Sequence, residues 1–181
     1  MNRTLALAIV STFALSAPAA FADYKVQMNA IDLKGVGASV GTVMVAADPK
    51  GGVVLTPALK DLPPGDHGFH MHEKNNCSAM QKDGKLEPGE GAGPHFDPKK
   101  TKKHSGPAGG GHMGDLPLLK VGADGTATAP MNVAGLKVSD FRNRSLIIHA
   151  AGDNYADQPK PNGGGGARIA CGMVQSGGTK K

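Results

Sequence analysis

Short runs of β-branched and apolar residues, separated by glycine, proline, asparagine and aspartate, dominate the chain after residue 23, and helix-period apolar stripes are scarce. We predict an all-β domain with eight strands, at residues 24–31, 38–46, 51–59, 68–72, 118–121, 127–131, 145–149 and 168–174. Asp124-Gly125 predicts a hairpin between the fifth and sixth strands, because type I′ turns need positive φ at both central residues. Eight short strands suit a barrel or a sandwich.

The first 22 residues have the pattern of an export signal. Arg3 precedes an uncharged apolar run over residues 5–15, and Ala20-Phe21-Ala22 fits a small-x-small cleavage site. The run is shorter than the about 20 residues that a membrane-spanning helix needs, and no cysteine follows it, so we expect no membrane anchor. The alternative, that the run is a buried strand, leaves the cleavage pattern unexplained. We predict a secretory signal peptide at 1–22 and one domain over 23–181.

The chain is basic, with a formal net charge of +5. Such a balance suits nucleic acid, an anionic membrane or a small anionic substrate. Nucleic-acid platforms interleave aromatic and basic side chains, but this chain has no Trp, 2 Tyr and 5 Phe, and its Lys-rich stretches show no such interleaving. We therefore expect no nucleic-acid partner.

Cys77 and Cys171 are the two cysteines of the chain. In an exported protein, a single disulfide is the default interpretation of such a pair. Closing so long a loop stabilises by roughly 4 to 5 kcal/mol in the chain-entropy model. The bridge would tie a loop to the last strand.

Two long segments, 77–117 and 150–167, show no strand or helix period, and the second contains four consecutive glycines at 163–166. Loops of this length are unusual in a compact domain unless they are disordered or held by something other than a hydrophobic core. Three imidazoles and a carboxylate lie in the first segment: His95, His104, His112 and Asp115. They form a full tetrahedral set for zinc, whose binding would order the loop. The alternative is a solvated loop with scattered histidines.

A second group of histidines lies on predicted strands. Positions i and i+2 of a strand project from one face, so His70 and His72 can reach one metal while Phe69 and Met71 face the other side. His149 ends an apolar run and would emerge at the rim of the sheet. Three imidazoles suit the nitrogen-rich sites that copper prefers, but spacing alone identifies no fourth ligand. Surface histidines that bind nothing are the alternative.

Five sequence motifs follow one another along the chain. They are Gly-Phe-His-Met-His-Glu at 68–73, Gly-Pro-His-Phe-Asp-Pro at 93–98, Gly-His-Met-Gly-Asp-Leu-Pro at 111–117, Ile-His at 148–149 and Gly-Gly-Gly-Gly-Ala-Arg-Ile-Ala-Cys-Gly at 163–172. In this order they resemble the copper/zinc superoxide dismutases, particularly the bacterial periplasmic branch. The resemblance covers nearly the whole chain after the signal, and several independent motifs make a chance match very improbable.

The resemblance implies two metal ions, copper and zinc, and a set of ligands for each. Copper would be held by His70, His72, His95 and His149. Zinc would be held by His95, His104, His112 and Asp115. His95 would then bridge both metals as an imidazolate, and Asp153 would link one copper histidine to one zinc histidine. His67 matches a family histidine that bonds the backbone and is not a ligand.

The same resemblance implies a flattened eight-stranded Greek-key β-barrel, an immunoglobulin-like sandwich with two long functional loops, of which this family is a standard example. It also implies a disulfide between Cys77 and Cys171. The implied activity is the dismutation of superoxide to dioxygen and hydrogen peroxide in the periplasm. Copper would cycle between Cu(II) and Cu(I), and zinc would be structural. Arg168, at the mouth of the copper channel, and His95 would be the catalytic residues.

Superoxide is thus the expected partner, and a homodimer is left open because bacterial and eukaryotic members differ at the interface. Seven lysines are candidates for a funnel that attracts it: Lys74, Lys82, Lys85, Lys99, Lys100, Lys102 and Lys103. Two other classes compete with this interpretation. A copper- or zinc-buffering protein would need neither the bridging His95 nor Arg168, and a basic interaction module with incidental histidines would carry no metal.

Overall fold

The computed structural model describes residues 23–107 and 109–175, which form an almost entirely β-structure. The strands are β1 (Tyr24–Asp32), β2 (Gly35–Ala47), β3 (Val53–Leu59), β4 (Gly65–His67), β5 (Phe69–His72), β6 (Met80–Lys82), β7 (Lys85–Glu87), β8 (Leu119–Val121), β9 (Met131–Val133), β10 (Ser145–His149) and β11 (Arg168–Met173). Short 3-10 turns at Glu90–Ala92, Val138–Phe141 and Asn162–Gly164 are the helical segments of this part of the chain. Within the same residues, no helix has the length and apolarity to cross a membrane. The predicted signal peptide lies outside the described residues.

Seven strands form one antiparallel sheet in the order β5-β10-β11-β1-β2-β3-β9, and β4 pairs with β8 in a second sheet. The alternation that the sequence predicts is clear in β3, where every second residue from Val53 to Leu59 is buried and Val54, Thr56 and Ala58 between them are more exposed. Buried side chains from most strands meet in one main core that also contains Phe69 and Phe141. The all-β prediction is confirmed, and each of the eight predicted strands overlaps an observed one.

Strands β5 and β10 differ from the others because both of their faces are buried. Phe69 and Met71 on β5 pack into the main core together with Leu146 and Ile148 of β10. The register places His70 opposite Ile147 and His72 opposite Ser145, so these four side chains share the opposite face. That face lies under the long loops. A polar, histidine-rich surface is therefore buried without belonging to the hydrophobic core.

The hairpin predicted at Asp124-Gly125 is wrong. The chain does turn there, with the amide of Gly122 donating to the carbonyl of Thr126, but β8 pairs with β4, and β9 pairs with β3. Gly125 has φ of 77°, whereas Asp124 does not enter the left-handed region, as a type I′ turn would require. The strand predicted at 127–131 is displaced accordingly to Met131–Val133.

An unpredicted hairpin stands inside the first long loop, where β6 pairs with β7 across a two-residue turn. The turn is a second Asp-Gly pair, Asp83-Gly84, with φ of 50° and 77°. Both central residues have the positive φ that a type I′ turn needs. An Asp-Gly pair therefore does form a two-residue hairpin turn in this chain, but the pair is Asp83-Gly84 and not Asp124-Gly125.

The predicted disulfide between Cys77 and Cys171 is confirmed. It joins the start of the first long loop to β11, across 94 positions of sequence and a Cα–Cα distance of 5.8 Å. Ile31, Ala92 and Ile147 pack around it in a small apolar cluster separate from the main core. The bridge thereby fastens the loop to the sheet beside the buried histidine face.

Candidate metal centre

Three histidines on strands point one ring nitrogen each toward a common space. The other ring nitrogen is occupied in each case: His72 Nδ1 donates to the Gly93 carbonyl at 2.7 Å, and His149 Nδ1 donates to the Gly166 carbonyl at 3.2 Å. His70 Nε2 lies 2.7 Å from a carboxylate oxygen of Asp153. The remaining nitrogens, His70 Nδ1, His72 Nε2 and His149 Nε2, are buried without a hydrogen-bond partner. Buried polar atoms rarely stay unpaired, so this set fits a metal ion that accepts three lone pairs.

His95 joins this group from the first long loop. His95 forms an isolated antiparallel β-bridge with His72, and the amide of Phe96 donates to the carbonyl of Met71 at 2.8 Å. The loop is thereby added to the edge of β5 like a short extra strand. The centroid of the His95 ring lies 4.1 Å from that of His70 and 4.9 Å from that of His72. One candidate ligand atom from each of His70, His72, His95 and His149 can be chosen so that all four lie within 4.8 Å of one another.

A second group centres on Asp115. Its Oδ1 lies 2.9 Å from His95 Nδ1, 3.0 Å from His104 Nδ1 and 3.3 Å from His112 Nδ1. Three imidazole nitrogens therefore converge on one carboxylate oxygen. This donor set, three nitrogens and one oxygen, suits tetrahedral zinc. The structure brings together all four residues that the loop sequence suggested, and His95 belongs to both groups.

Asp153 connects the two groups. Its Oδ2 accepts a hydrogen bond from His70 Nε2 at 2.7 Å, and its Oδ1 accepts one from His104 Nε2 at 2.8 Å. The tight packing depends on Gly163, which has φ of 76°; a Cβ there would overlap Asp153 and lie 2.7 Å from His104 Nε2. One glycine of the four-glycine run is therefore required by the carboxylate rather than by chain flexibility alone.

The electrostatics of the strand-borne histidines favour the neutral ring. Burial lowers the pKa of His72 and of His149 well below the ordinary histidine value. Burial also lowers the pKa of His70, and it lowers that of His95 to about 4, in both cases against the opposing effect of a hydrogen-bonded carboxylate. A neutral imidazole with one protonated nitrogen keeps a lone pair on the other nitrogen, which is the form that binds a metal.

The group around Asp115 behaves differently. Burial disfavours the charged form of His104, but hydrogen bonds to Asp115 and Asp153 outweigh it and raise the pKa of His104 to about 9. Burial likewise opposes ionisation of Asp115 and Asp153, yet hydrogen bonds from histidines hold the pKa of each carboxyl well below its usual range. Because two carboxylates face His104, a positive charge at this position is stabilised, and either a proton or a metal ion can supply it.

His67 is the one histidine outside both groups. Its Nδ1 lies 2.7 Å from the carbonyl of His149, and its Nε2 lies 2.8 Å from the carbonyl of Pro63. The ring therefore bonds backbone on both sides. It supports the chain next to His149 rather than offering a ligand atom.

Arg168 lies in a cleft of about 890 Å³ that reaches three of the clustered histidines: His95, His112 and His149. It stands at the start of β11, opposite His149. Its Nη1 donates to the carbonyl of Gly89 at 2.7 Å, and its Nη2 donates to that of Gly93 at 2.9 Å. The guanidinium is therefore fixed in the wall of a cleft that reaches both histidine groups.

The same cleft is lined by Lys82 and Lys85, which face each other across the β6–β7 hairpin. The lysines at 99, 100, 102 and 103 are exposed but do not line it. Sequence reasoning did not identify Glu90, which also lines the cleft. The Asp83-Gly84 pair was the sequence feature that could have indicated this part of the cleft, because a hairpin there brings Lys82, Lys85 and the residues that follow them to the mouth of the cleft.

Comparison with known proteins agrees with this geometry. The family described as copper/zinc superoxide dismutase matches residues 39–174. Superoxide dismutase [Cu-Zn] 2 of Salmonella typhimurium is 48% identical over 174 residues, which cover 96% of this chain and 99% of the relative. The Cu/Zn superoxide dismutase from Brucella abortus aligns with a TM-score of 0.82 at 45% identity, covering 84% of this chain and 99% of that one. The monomeric copper, zinc superoxide dismutase from Salmonella enterica gives a TM-score of 0.75 at 49% identity, covering 84% and 99%.

The fold and the two histidine groups thus define a copper- and zinc-binding oxidoreductase. The chain belongs to the copper/zinc superoxide dismutase family. Membership of this family confirms the predicted β-barrel fold, the oxidoreductase class and the copper and zinc cofactors. The sequence left a homodimer open, and one of the similar solved structures is described as monomeric.

Proposed function

We propose that this chain converts superoxide to dioxygen and hydrogen peroxide at a copper ion that shares His95 with a zinc ion. The copper ligands are His70, His72, His95 and His149; the zinc ligands are His95, His104, His112 and Asp115. One observation carries the proposal: His95 belongs to both groups and presents Nδ1 to Asp115, which leaves Nε2 for the strand-borne histidines. Two unrelated metal sites would have no reason to share a ring.

The reaction consumes two superoxide anions and two protons. When bound, copper supplies the electron transfer by cycling between Cu(II) and Cu(I), whereas zinc has no redox chemistry. His95 would contribute a proton-holding atom, because its Nε2 could take a proton from solvent and give it to the reduced anion. The second proton would come from solvent. The Nδ1 atom of His95 stays directed at Asp115, so the ring returns to the same position.

Arg168 would attract and orient the anion. Its side chain is 10% exposed, and two backbone carbonyls hold it, so little side-chain entropy is lost when an anion arrives. Electrostatic steering of a small anion toward such a cleft raises the association rate, and superoxide dismutase is itself a standard example of it. Lys82 and Lys85 would add to the positive field at the same mouth.

Asp153 would position the metal ligands rather than bind metal. By accepting from His70 Nε2 and His104 Nε2, it leaves the Nδ1 atom of each ring as the ligand atom. One carboxylate would in this way set the tautomer of one ring in each group.

The protective role in the periplasm rests on the export pattern of residues 1–22. A disulfide in the described domain fits an oxidising compartment. Intact-mass measurement of protein from the periplasmic fraction should show the loss of 22 residues and a chain that begins at Asp23. A mass that includes Met1 would refute the signal peptide.

The activity is tested on protein loaded with both metals. Copper and zinc per chain are measured by mass spectrometry, and superoxide decay is followed after pulse radiolysis. We expect second-order consumption of superoxide that depends on copper content. A protein that holds both metals at full occupancy and leaves the decay of superoxide unchanged would be a metal-buffering protein, and the proposal would be wrong.

A further inference from the structure

Glu90 places a negative charge at the point where an incoming anion should be attracted. Its Oε1 lies 3.0 Å from Lys82 Nζ and 3.2 Å from Arg168 Nη2. The Glu90 side chain is 16% exposed, against 55% for that of Lys82. One carboxylate oxygen thus lies between an ammonium and a guanidinium in the wall of the cleft.

Anchoring Arg168 does not account for this carboxylate. The Gly89 and Gly93 carbonyls already accept from both terminal nitrogens of the guanidinium, at 2.7 Å and 2.9 Å. Carbonyl acceptors fix the side chain without cancelling its charge. Glu90 adds a full negative charge, which weakens the attraction that Arg168 exerts on an anion.

The geometry of the two cations offers another explanation. A guanidinium and an ammonium that share one oxygen within hydrogen-bond distance form a strong binding position for phosphate and carboxylate groups. Without Glu90, an oxyanion from solution could occupy this position next to the histidine groups. Lys82 is carried there by the β6–β7 hairpin, where Lys85 stands directly opposite. Asp83 and Glu87 line the same mouth, so the position at which two cations face one oxygen is the one between Lys82 and Arg168.

We propose that Glu90 is a specificity-determining residue that fills the oxyanion position between Lys82 and Arg168 and so excludes inorganic phosphate and similar anions from the cleft. The proposal rests on the proposed function, because it assumes that the cleft admits superoxide. A small, singly charged anion needs only the donors of Arg168 that Glu90 and the glycine carbonyls leave free. A larger oxyanion needs the oxygen position that Glu90 occupies.

The test compares five fully metal-loaded proteins: the unaltered chain, Glu90→Ala, Glu90→Gln, Glu87→Ala and the double variant that combines Lys82→Ala with Glu90→Ala. Superoxide consumption is measured at rising inorganic phosphate, with ionic strength held constant by sodium chloride so that screening does not change. Phosphate binding is measured separately from the broadening of its phosphorus resonance by copper. Glu87 also lines the cleft, and no ion pair from it to a described residue is found, so Glu87→Ala removes the same charge from the same hairpin region.

We expect the phosphate concentration that half-inhibits Glu90→Ala to be about tenfold lower than the one that half-inhibits the unaltered protein, because a charge-assisted oxyanion position is opened. Glu90→Gln keeps the shape and should show a smaller increase in sensitivity. Glu87→Ala should resemble the unaltered protein. Adding Lys82→Ala to Glu90→Ala should abolish most of the gain, because one of the two cations is removed.

Equal phosphate sensitivity of Glu90→Ala and the unaltered protein would overturn the proposal, as would an equal gain in Glu87→Ala, which would indicate a general charge effect. Glu90→Gln covers the case in which the alanine variant fails to fold. If the unaltered, fully loaded protein does not consume superoxide, the proposed function is wrong, and the phosphorus resonance still reports whether Glu90 excludes phosphate.

Discussion

The two histidine groups of this molecule are built on different kinds of support. In the strand group, which consists of His70, His72, His95 and His149, every residue except His95 lies on a strand of the main sheet. The loop group lies entirely in the first long loop and consists of His95, His104, His112 and Asp115. The strand residues are fixed by ladder hydrogen bonds and by core side chains on the opposite face. Within the loop, His95 and Asp115 bridge to β5 and are followed by the core residues Phe96 and Leu116. His104 and His112 are instead held by backbone contacts to Asp157 and Lys103, which lie in the loops themselves. A metal should therefore find the first group largely assembled and should itself help to assemble the second.

The electrostatics show the same difference. The strand group consists of neutral rings in which burial is the main influence, and its ligand atoms have no counter-charge to replace. The loop group contains an ionised carboxylate and a histidine whose pKa is about 9. Binding of zinc there must displace a proton from a site that already holds a charge pair, so the loop group is coupled to proton concentration and the strand group much less.

The largest expected effect concerns His95, the one residue that both groups share. His95→Ala should lose most of its copper and zinc, whereas His104→Ala should weaken zinc and leave copper largely bound. Metal per chain after identical dialysis, measured by mass spectrometry, checks this. If each variant lost a single metal, the two groups would be independent, and the bridging role would be refuted.

Metal removal should separate the two supports directly. With both metals chelated, we expect amides in residues 93–117 to exchange much faster, while amides of β5 and β10 keep their protection. A ligand present at 1,000 times its Kd stabilises the state that binds it by about 4 kcal/mol, so opening of the loop should become about a thousandfold more frequent. Hydrogen exchange by mass spectrometry on loaded and metal-free protein measures both regions at once. Equal acceleration in strands and loop would contradict the comparison.

Asp153→Asn should affect the two groups unequally, although Asp153 touches both. An asparagine can accept from only one of the two rings, and its amide group would oppose the other N–H. Because β5 holds His70 independently, we expect zinc affinity to fall by about 10- to 100-fold and copper affinity to fall less. Competition titrations against chelators of known affinity would show this. Equal losses of both metals would mean that the strand gives His70 no advantage.

Arg168→Gln should have the smallest effect on the metal groups, because Arg168 contacts backbone and Glu90 rather than a metal-group side chain. Copper and zinc contents should stay unchanged, while the second-order rate constant falls on the order of tenfold at low salt. The ratio of the rate constant of the unaltered protein to that of Arg168→Gln should fall as the salt concentration rises, since the Debye length falls from about 10 Å at 0.1 M to about 3 Å at 1 M. It should stay above one, because orientation does not depend on screening. Equal rates at low salt would remove Arg168 from the proposed mechanism.

The strand group could be predicted from local sequence because a strand fixes side-chain direction over two residues. His70 and His72 were placed on one face by alternation alone, and the structure has them there. The loop residues could be recognised as a donor set, but their convergence depends on contacts distant in sequence, such as the bond between Met71 and Gly114.

The errors have the same physical origin. The hairpin was assigned to Asp124-Gly125 rather than Asp83-Gly84 because a two-residue signal does not reveal which strands pair, and that is decided by the sheet as a whole. The Asp83-Gly84 pair could have indicated the hairpin beside the cleft, but nothing in the local sequence marks Glu90 as the partner of two cations. Its meaning depends on Lys82 and Arg168, the latter 78 positions away in sequence, and only folding brings them together.

The disulfide makes a covalent ring of residues 77–171, and five of the seven proposed metal ligands lie inside it together with Asp153: His95, His104, His112, Asp115 and His149. The exposed lysines at 99, 100, 102 and 103 are natural points of attack for a trypsin-like protease. A single cut at any of them opens the ring without dividing the molecule, and the two pieces separate only after reduction. The bridge thus gives this metal-binding loop a tolerance of nicking that an uncrosslinked loop of the same length would lack.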